Sequence, residues 1–355
     1  MVEWRPAGFY RTGAGTAAQA EDRTVQCTLC PFRCRLRDGE AGACKVRRRR
    51  GDTVETATLG TTVSHWDAVE RKPFFHFRPG TRLLTLAPPG CSFRCDYCVN
   101  HRLSQYGRSA GEEGGEAGER DGGYRLVDPA DVAGQAHAAG AGIGLSYSEP
   151  SLAAELTLRL AKEAAPLDVP IVWKSNGFLT PEAAEELIPA LSAVNIDIKA
   201  ADEDAHRRLT GAPLRPVLDT VRLMHDSGVW LEISTPLIPG TSATDDELAR
   251  IAASIAAVDP GIPWHLLRFV PAYRLRDPAP TAPDRLARAV AIGRAAGLRH
   301  VYVERALGDA GRATYCPGCG TEVITRQIWG LAVNRLRANG GCPGCGTLIE
   351  GRWTA

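Results

Sequence analysis

The stretch that decides the fold is residues 82–98, RLLTLAPPGCSFRCDYC, in which an apolar run passes directly into a loop with three cysteines. The run over 82–87 predicts a β-strand, and Pro88, Pro89 and Gly90 predict its end. In barrels of alternating strands and helices, the loops at the carboxyl ends of the strands form the active site. The loop 91–98, called the cluster loop below, therefore lies where a catalytic group is expected.

The same alternation of apolar runs and helical segments continues to residue 304. Strands are predicted at 82–87, 143–148, 170–175, 193–199, 229–235, 264–270 and 300–304. Helices are predicted between them at 151–165, 181–192, 214–227, 245–257 and 281–296. This order indicates an α/β fold with a parallel sheet, closed or partly closed as a barrel.

Outside the barrel the composition changes. Residues 1–60 predict a cysteine-rich N-terminal module, 61–305 the barrel, and 306–355 a C-terminal metal-binding module. Residues 108–123 are rich in Gly and Glu and have no apolar anchor, so they predict a mobile surface insertion.

The chain has 11 cysteines, and all of them fall into three groups. The N-terminal cysteine site is Cys27, Cys30, Cys34 and Cys44; the cluster loop has Cys91, Cys95 and Cys98; the C-terminal cysteine site is Cys316, Cys319, Cys342 and Cys345. Glu3, Arg5 and Pro6 stand where a signal peptide needs an apolar run, so a cytoplasmic location is expected. In that reducing compartment, clustered cysteines indicate metal ligands before disulfides.

Ligand number separates the three groups. Three thiolates on one short loop can hold three irons of a 4Fe–4S cluster and leave the fourth open to a small molecule; a zinc completed by a distant His or Asp, or a structural trio, is the alternative. Four thiolates fit a zinc, a rubredoxin-like iron or a cluster. We expect a structural zinc at the paired CPGCG knuckles of the C-terminal cysteine site, whereas zinc and an iron–sulfur cluster are equally open at the N-terminal cysteine site.

Charge and hydropathy exclude other classes. The net charge of +1 gives no sign of nucleic-acid binding, and no apolar run approaches the length of a membrane span. The basic run 47–50 is expected to be a solvated loop.

Several stretches together resemble the radical SAM superfamily, and within it the AmmeMemoRadiSam-type proteins and pyruvate formate-lyase activating enzymes. They are CTLCPFRCRLRDGEAGAC, VERKPFFHFRPGTRLLTLAPPGCSFRCDYC, SYSEPSL, SNGF, VNIDIKA, LEISTPLIPG, PWHLLRFVPAY and YCPGCG. The resemblance implies a partial (β/α)6 barrel, a 4Fe–4S cluster on the cluster loop, S-adenosylmethionine (SAM) as cofactor, and a flavodoxin- or ferredoxin-type electron donor. It also implies reductive cleavage of SAM to a 5′-deoxyadenosyl radical that abstracts hydrogen from a carbon.

The resemblance implies roles for several side chains. Tyr97 matches the aromatic residue beside the adenine of SAM, and Ser148 and Glu149 match the element that binds its amino group. Here the usual glycines are replaced, so the correspondence rests on Glu149 and the local backbone. Ser175 and Asn176 match the element near the ribose.

Polar side chains on the later strands complete the predicted site. The period of two places Asn195, Asp197 and Lys199 on one face of their strand, which suits a polar barrel lumen, although a solvent-facing edge strand is the alternative. Catalytic or cofactor-binding roles are assigned to Asn195, Asp197, Lys199, Glu232, His265 and Arg268. The resemblance places His265 and Arg268 near the substrate, but a lone histidine is equally often structural. His76 is expected to be a packed residue of the connector, residues 61–80.

Three functions remain open from the sequence. The first is hydrogen abstraction from a small molecule such as a sugar, nucleoside or natural-product scaffold, giving epimerisation, decarboxylation or oxidation. The second is activation of a partner protein, as in glycyl-radical activating enzymes. The third is a zinc-ribbon binding module with a degenerate barrel, which the intact cluster loop disfavours. Because every cysteine has a metal-site assignment, three ends of a substrate radical stay open: onward oxidation, a hydrogen from a tyrosine such as Tyr147 or Tyr273, or a hydrogen from an auxiliary cysteine that is free. For a redox-neutral epimerase we expect the free cysteine.

Overall fold

The computed structural model describes residues 2–12, 24–108 and 123–353. The chain divides into two compact units: the first comprises Met1–Trp66, Leu84–Arg94 and Cys98–Ser192, and the second Asp67–Leu83, Cys95–Tyr97 and Ala193–Ala355. The predicted insertion 108–123 lies, except for its two end residues, outside the described residues. The predicted module boundaries at 60 and 305 stay predictions.

The helices of the described ranges are short to medium in length. They are α1 His101–Ser104, α2 Pro129–Ala138, α3 Ala154–Ala164, α4 Pro181–Leu187, α5 Glu203–Thr210, α6 Arg215–Asp226, α7 Asp245–Ala256 and α8 Pro283–Ala295. The strands are β1 Arg5–Pro6, β2 Tyr10–Thr12, β3 Val25–Cys27, β4 Arg35–Leu36, β5 Arg47–Arg50, β6 Thr53–Thr56, β7 Gly60–Thr61, β8 Ser64–Ala68, β9 Arg82–Leu86, β10 Arg125–Leu126, β11 Gly142–Leu145, β12 Ile171–Ser175, β13 Ala193–Asp197, β14 Trp230–Leu237, β15 Trp264–Arg268, β16 Val301–Val303, β17 Thr314–Tyr315, β18 Glu322–Gln327 and β19 Gly330–Asn334.

Every strand and helix expected between residues 82 and 304 is present. Thr180 and Thr244, whose side chains accept backbone N–H bonds, cap the predicted helices α4 and α7, whereas α3, α6 and α8 begin without a side-chain cap. Three further helices, α1, α2 and α5, were not predicted, although Asp128 and Asp202 cap α2 and α5 through their side chains. α1 has only four residues, and α2 and α5 each contain a single large aliphatic residue, Val132 and Leu209, so the apolar periodicity on which the predictions relied is weak there.

In the first unit, β11 and β12 pair in parallel, with Ile143 opposite Ile171. All four residues of β11 are buried. A strand buried on both faces reads as a continuous apolar run, which is typical of parallel sheets covered by helices. Helix α3 follows β11 in the chain, as the alternation predicted.

In the second unit, β13, β14, β15 and β16 form a parallel run of neighbours. The register places Asn195 opposite Glu232, and Asp197 opposite Ser234, which itself lies opposite His265. The fold is α/β, a partial barrel with cysteine-rich appendages, and the predicted fold class is confirmed.

The expectation of a solvated loop at residues 47–50 is wrong. These residues form β5, antiparallel to β6, and Arg47 is 1% exposed. Its guanidinium pairs with Glu155 of α3 at 2.8 Å and donates to the carbonyl of Gly8. A partner 108 residues away neutralises the charge, so local composition does not reveal that the arginine is buried.

The C-terminal module is an antiparallel sheet of β17, β18 and β19, with the first cysteine knuckle between β17 and β18 and the second after β19. Val323 and Ile324 of β18 pack with Cys316 and Cys342 in one buried cluster. Across the described ranges, no helix has the length and apolarity needed to span a membrane.

Candidate active site and metal centres

Glu149 is the most densely bonded carboxylate of the first unit. It is 2% exposed, and its two oxygens accept from the Ser175 hydroxyl at 2.7 Å, from the Asn176 backbone N–H at 2.8 Å and from the Ser151 N–H at 3.0 Å. Burial raises the pKa of Glu149, and these donors oppose the shift. Pro150 directly follows it and opens a 3-10 turn that the glutamate caps. The carboxylate is therefore fixed in position beside Ser175 and Asn176.

Asn176 links this carboxylate to the cluster loop. Its Nδ2 donates to Ser92 Oγ at 2.9 Å and lies 3.6 Å from Cys91 Sγ, and the Phe93 N–H lies 3.3 Å from the same sulfur. Gly90, just before, has φ +94°, and a Cβ there would lie 2.7 Å from Val46. The loop thus needs glycine at its entrance, and N–H groups surround the Cys91 sulfur.

Two residues that the sequence did not identify support the cluster loop. Ser104 Oγ lies 3.2 Å from Cys98 Sγ. Arg108 donates to the carbonyls of Cys91 at 2.6 Å and Phe93 at 2.7 Å. Arg108 belonged to the predicted mobile insertion, but it is tied to the loop. The sequence did not indicate this contact, because a charged residue next to a Gly/Glu-rich segment is expected to be exposed to solvent.

The predicted polar strand β13 carries an ion pair at its end. Lys199 Nζ lies 2.9 Å from Asp197 Oδ2 and 5.8 Å from the ring centre of Tyr97. Burial opposes the charge of the lysine, but Asp197, Tyr97 and Cys95 outweigh it and hold the pKa of Lys199 well above its usual value. The side chains are only 11% and 18% exposed for Lys199 and Asp197 respectively. This is a nearly enclosed cation beside a carboxylate.

Asn195, on the same strand, is fully buried. Its Nδ2 donates to the carbonyl of Pro73 at 2.7 Å, and its Oδ1 accepts from the Ser234 hydroxyl at 2.7 Å. The structure therefore does not bring it to the ion pair as an open polar group: its amide binds within the second unit.

Glu232 and His265 form a second buried pair. Glu232 Oε2 lies 2.6 Å from His265 Nε2, and neither side chain is exposed. Because the carboxylate oxygen accepts, Nε2 of His265 carries the proton in this contact. Arg268 is exposed at the end of β15, where its Nε donates to the carbonyl of Thr281 at 2.9 Å. The structure thus brings Glu232 and His265 together and leaves Arg268 apart, as a residue of the strand end.

Ser148 completes the predicted set. Its hydroxyl donates to the carbonyl of Pro88, the residue that follows the strand leading to the cluster loop. Tyr147, just before it, has φ +70°, a left-handed conformation that few non-glycine residues adopt. A tyrosine thus stands in a backbone conformation that glycine adopts most readily.

The C-terminal cysteine site has the spacing of a single-ion centre. Its four sulfur atoms lie within 4.8 Å of one another, with 3.6 Å between Cys316 and Cys345 and 3.7 Å between Cys319 and Cys342. Zinc–sulfur bonds of about 2.3 Å in a tetrahedron require sulfur atoms about 3.8 Å apart. The Thr347 hydroxyl and N–H lower the pKa of Cys345 to about 6. The C-terminal module thus contains a four-cysteine site with the sulfur spacing of a single metal ion.

The N-terminal cysteine site is more deeply buried. Cys27, Cys30 and Cys44 are buried and Cys34 is half-buried. Burial raises the pKa of Cys30 and of Cys44, and the neighbouring thiols add to the shift. The Ala43 N–H points to Cys34 Sγ at 3.4 Å. All 11 cysteines lie in the described ranges, and all are free of disulfides.

Comparison with known proteins agrees with the resemblance seen in the sequence. The sequence model of the protein family described as the Radical SAM superfamily matches residues 86–253 of this chain. An uncharacterised protein of Methanocaldococcus jannaschii is 31% identical over 94% of this chain and 94% of its own length. The chain belongs to the radical SAM superfamily.

Two relatives with named activities match only part of this radical SAM protein. The isethionate sulfite-lyase activating enzyme of Desulfovibrio desulfuricans is 29% identical over 50% of this chain, which spans 55% of that relative. The pyruvate formate-lyase-activating enzyme of Staphylococcus aureus is 27% identical over 51% of this chain and 71% of its own length.

The cluster loop fits the 4Fe–4S cluster and SAM that the superfamily implies. The Cys91 sulfur is half-buried and accepts from the Phe93 N–H and the Asn176 amide, donors of the kind that surround metal-bound sulfur. Three cysteines supply three ligands, which leaves one iron for SAM. The donor chemistry of this loop therefore matches the group.

Proposed function

We propose that this radical SAM protein removes a hydrogen atom from a substrate carbon, with Cys91, Cys95 and Cys98 holding the cluster. The observation that carries the proposal is the bonded series from Glu149 through Asn176 to Cys91. When bound, the cluster and SAM supply a carbon radical that takes hydrogen from the substrate.

The protein's own residues bind and orient. Glu149, held by Ser175 and Asn176, is the acceptor for the amino group of SAM, and Tyr97 provides an aromatic face for its adenine. The ammonium of Lys199 is a buried positive charge that suits a carboxylate group of a bound ligand. Each role uses a group that the fold fixes before the cofactor arrives.

Anaerobic reconstitution followed by measurement of 5′-deoxyadenosine tests this function. The wild-type protein is expected to produce it under reduction. The variant Glu149→Gln should keep the absorbance of the cluster and bind SAM about tenfold more weakly, because a charged hydrogen bond is lost. Glu185→Gln, at an exposed position of α4, is the matched control. Equal SAM affinity in both variants would remove Glu149 from the site.

For the substrate, we propose a small polar molecule that undergoes epimerisation, decarboxylation or oxidation. The nearly enclosed pair of Lys199 and Asp197 supports this, since such a pair suits a small polar ligand. Turnover in D2O distinguishes the outcomes. Deuterium at one product carbon, lost on mutation of one cysteine outside the cluster loop, identifies an epimerase with a thiol donor; product without deuterium excludes that route.

A second candidate is activation of a partner protein, which the names of the two relatives favour. Pyruvate formate-lyase, purified and incubated anaerobically with the reconstituted protein, is the probe. A protein-based organic radical seen by electron paramagnetic resonance supports activation. A silent spectrum, with 5′-deoxyadenosine still formed, favours the small-molecule substrate. A flavodoxin- or ferredoxin-type donor and a cytoplasmic location belong to both versions.

We further propose that the C-terminal cysteine site holds one zinc, because its sulfur spacing suits a single tetrahedral ion. Elemental analysis of aerobically purified protein should find about one zinc per chain. Iron retained at this site instead, with a cluster spectrum lost on Cys316→Ser, would overturn the assignment. At the N-terminal cysteine site the same analysis separates zinc from an auxiliary iron–sulfur cluster.

A further inference from the structure

Glu232 is the centre of a buried hydrogen-bond network in the second unit. Besides His265, its oxygens accept from the backbone N–H of Phe75 at 3.0 Å, from that of His76 at 2.8 Å and from the indole of Trp230 at 3.0 Å. Two of the four donors are thus backbone groups of a connector remote in sequence. The position of the Glu232–His265 pair depends on where that connector lies.

His76 anchors the connector through its side chain. Its Nδ1 lies 2.6 Å from the carbonyl of Glu350, which can only accept, so Nδ1 carries the proton. Its Nε2 lies 2.5 Å from the hydroxyl of Tyr302 and accepts from it. Burial, and then the nearby His300, hold the pKa of His76 well below its usual value, so the ring is neutral. The packed connector histidine expected from the sequence is present, with a fixed tautomer.

The backbone of the connector is paired with the segment that ends the C-terminal module. Arg352 donates its N–H to the carbonyl of His76 at 2.7 Å, and Arg78 donates to the carbonyl of Arg352 at 2.6 Å. Phe77 and Arg352 form a parallel bridge, and the ring of Trp353 lies 5.0 Å from that of His76. The connector and the terminal segment are therefore held together by backbone hydrogen bonds and ring contacts.

The terminal segment is in turn organised by the cysteine knuckles. The Ile349 N–H donates to the carbonyl of Gly340 at 3.1 Å, just before the second knuckle. Ile349 also packs in the buried cluster of Cys316 and Cys342. Glu350, which accepts from His76, is the next residue. A metal that closes the knuckles fixes Ile349 and so the place of Glu350.

We propose that the metal at the C-terminal cysteine site positions Glu232 and His265 through the terminal segment and His76. Glu232 and His265 then act by positioning neighbouring groups and not by contact with substrate. The C-terminal module contributes to their geometry within the second unit. This rests on the proposed function only where a catalytic consequence is concerned. The coupling itself is reciprocal: a change that disturbs the position of Glu232 must also weaken the binding of the metal.

Metal release from aerobically purified, full-length protein, followed with a chromogenic chelator, tests the coupling. In Glu232→Gln an amide N–H2 replaces an accepting oxygen and faces an N–H donor. We expect the metal to be bound about tenfold more weakly than in the wild type, a typical size for coupling between the affinities of two sites, and therefore to be released faster. The control is Glu247→Gln, since Glu247 is also buried in this unit and accepts from Ala201 at 2.7 Å and Asp202 at 3.3 Å. Its release rate should match the wild type.

A second pair of variants keeps the test decisive if Glu232→Gln does not fold. His76→Asn retains a donor near the position of Nδ1, whereas His76→Leu has none. Fast release in the leucine variant with near wild-type release in the asparagine variant supports the proposal. Equal rates of metal release in His76→Leu and His76→Asn overturn the proposal. So do equal rates in Glu232→Gln and Glu247→Gln when the two variants have the same melting temperature. The assay needs neither cluster nor SAM, so an absence of SAM cleavage would count against the proposed function alone.

Discussion

The N-terminal and C-terminal cysteine sites have four thiols each but hold them in different ways. In the C-terminal site two of the cysteines are exposed and opposing sulfur atoms are 3.6 and 3.7 Å apart; hydroxyl and N–H donors lower the pKa of Cys345, while burial raises that of Cys316 to about 11. In the N-terminal site three of the cysteines are buried, and burial raises the pKa of Cys30 and Cys44. The C-terminal site thus has its sulfur atoms at metal-binding spacing near the surface, whereas the N-terminal site is packed into a core.

The surroundings extend the contrast. The N-terminal site is held by contacts that need no metal: Arg47 pairs with Glu155, and the Thr180 hydroxyl donates to the carbonyl of Thr28 at 2.6 Å. The C-terminal module has a small buried cluster of five residues, two of them ligands. So small a core cannot stabilise a fold alone, and metal usually supplies the difference. The comparison therefore predicts metal dependence for one site and packing dependence for the other.

The largest expected effect separates both sites from the cluster loop. Cys91→Ala, Cys95→Ala or Cys98→Ala should each reduce SAM cleavage to the background of a 5′-deoxyadenosine assay, since each removes one of three ligands. Cys30→Ser should leave the reaction detectable. Substantial 5′-deoxyadenosine from any of the three loop variants would refute the cluster assignment.

Removing a ligand from the C-terminal site should unfold its module. Structural zinc contributes on the order of 10 kcal/mol to folding, so Cys342→Ser should lose its metal and become open to proteolysis between residues 306 and 353. Cys30→Ser is the comparison and should keep this region resistant. Resistance of both variants would mean that the C-terminal module does not depend on metal.

Breaking the buried ion pair should destabilise the N-terminal module without any change in metal. Glu155→Ala leaves the guanidinium of Arg47 unpaired in the core, which costs about 3 kcal/mol of unfolding free energy in denaturant titrations. The control is Glu55→Ala, which breaks a half-exposed pair with Arg48 and should cost about 1 kcal/mol or less. Similar losses in the two variants would contradict a packing-dependent module.

The smallest effect concerns the donor that prepares the C-terminal thiolate. Because the pKa of Cys345 is lowered to about 6, this thiol takes up a proton in competition with the metal as the pH falls through about 6, whereas Cys316, whose pKa burial raises to about 11, must already release its proton to bind metal at neutral pH. Thr347→Val removes the hydroxyl, so metal loss should begin at higher pH and the affinity at pH 7 should fall about tenfold. Identical pH profiles of metal retention would show that Thr347 is not needed.

Much of the candidate site was accessible from contiguous sequence. The strand before the cluster loop, the cysteine spacing and the order of strands and helices are all local patterns, and Glu149, Ser175 and Asn176 lie in short motifs of the same local kind. Arg108 was missed because its partners are the backbone carbonyls of the cluster loop. A carbonyl has the same chemistry in every residue and leaves no mark in the sequence.

By itself the sequence determined the class of chemistry and the grouping of the cysteines, because ligand spacing within a short loop is set by chain geometry. Only the tertiary structure decided which polar groups are enclosed. Glu232 contacts connector residues 157 and 156 positions away, and Arg47 a glutamate 108 positions away. Such pairs form when the whole chain collapses, since the free energy of burying a charge depends on a partner that periodicity and composition do not specify.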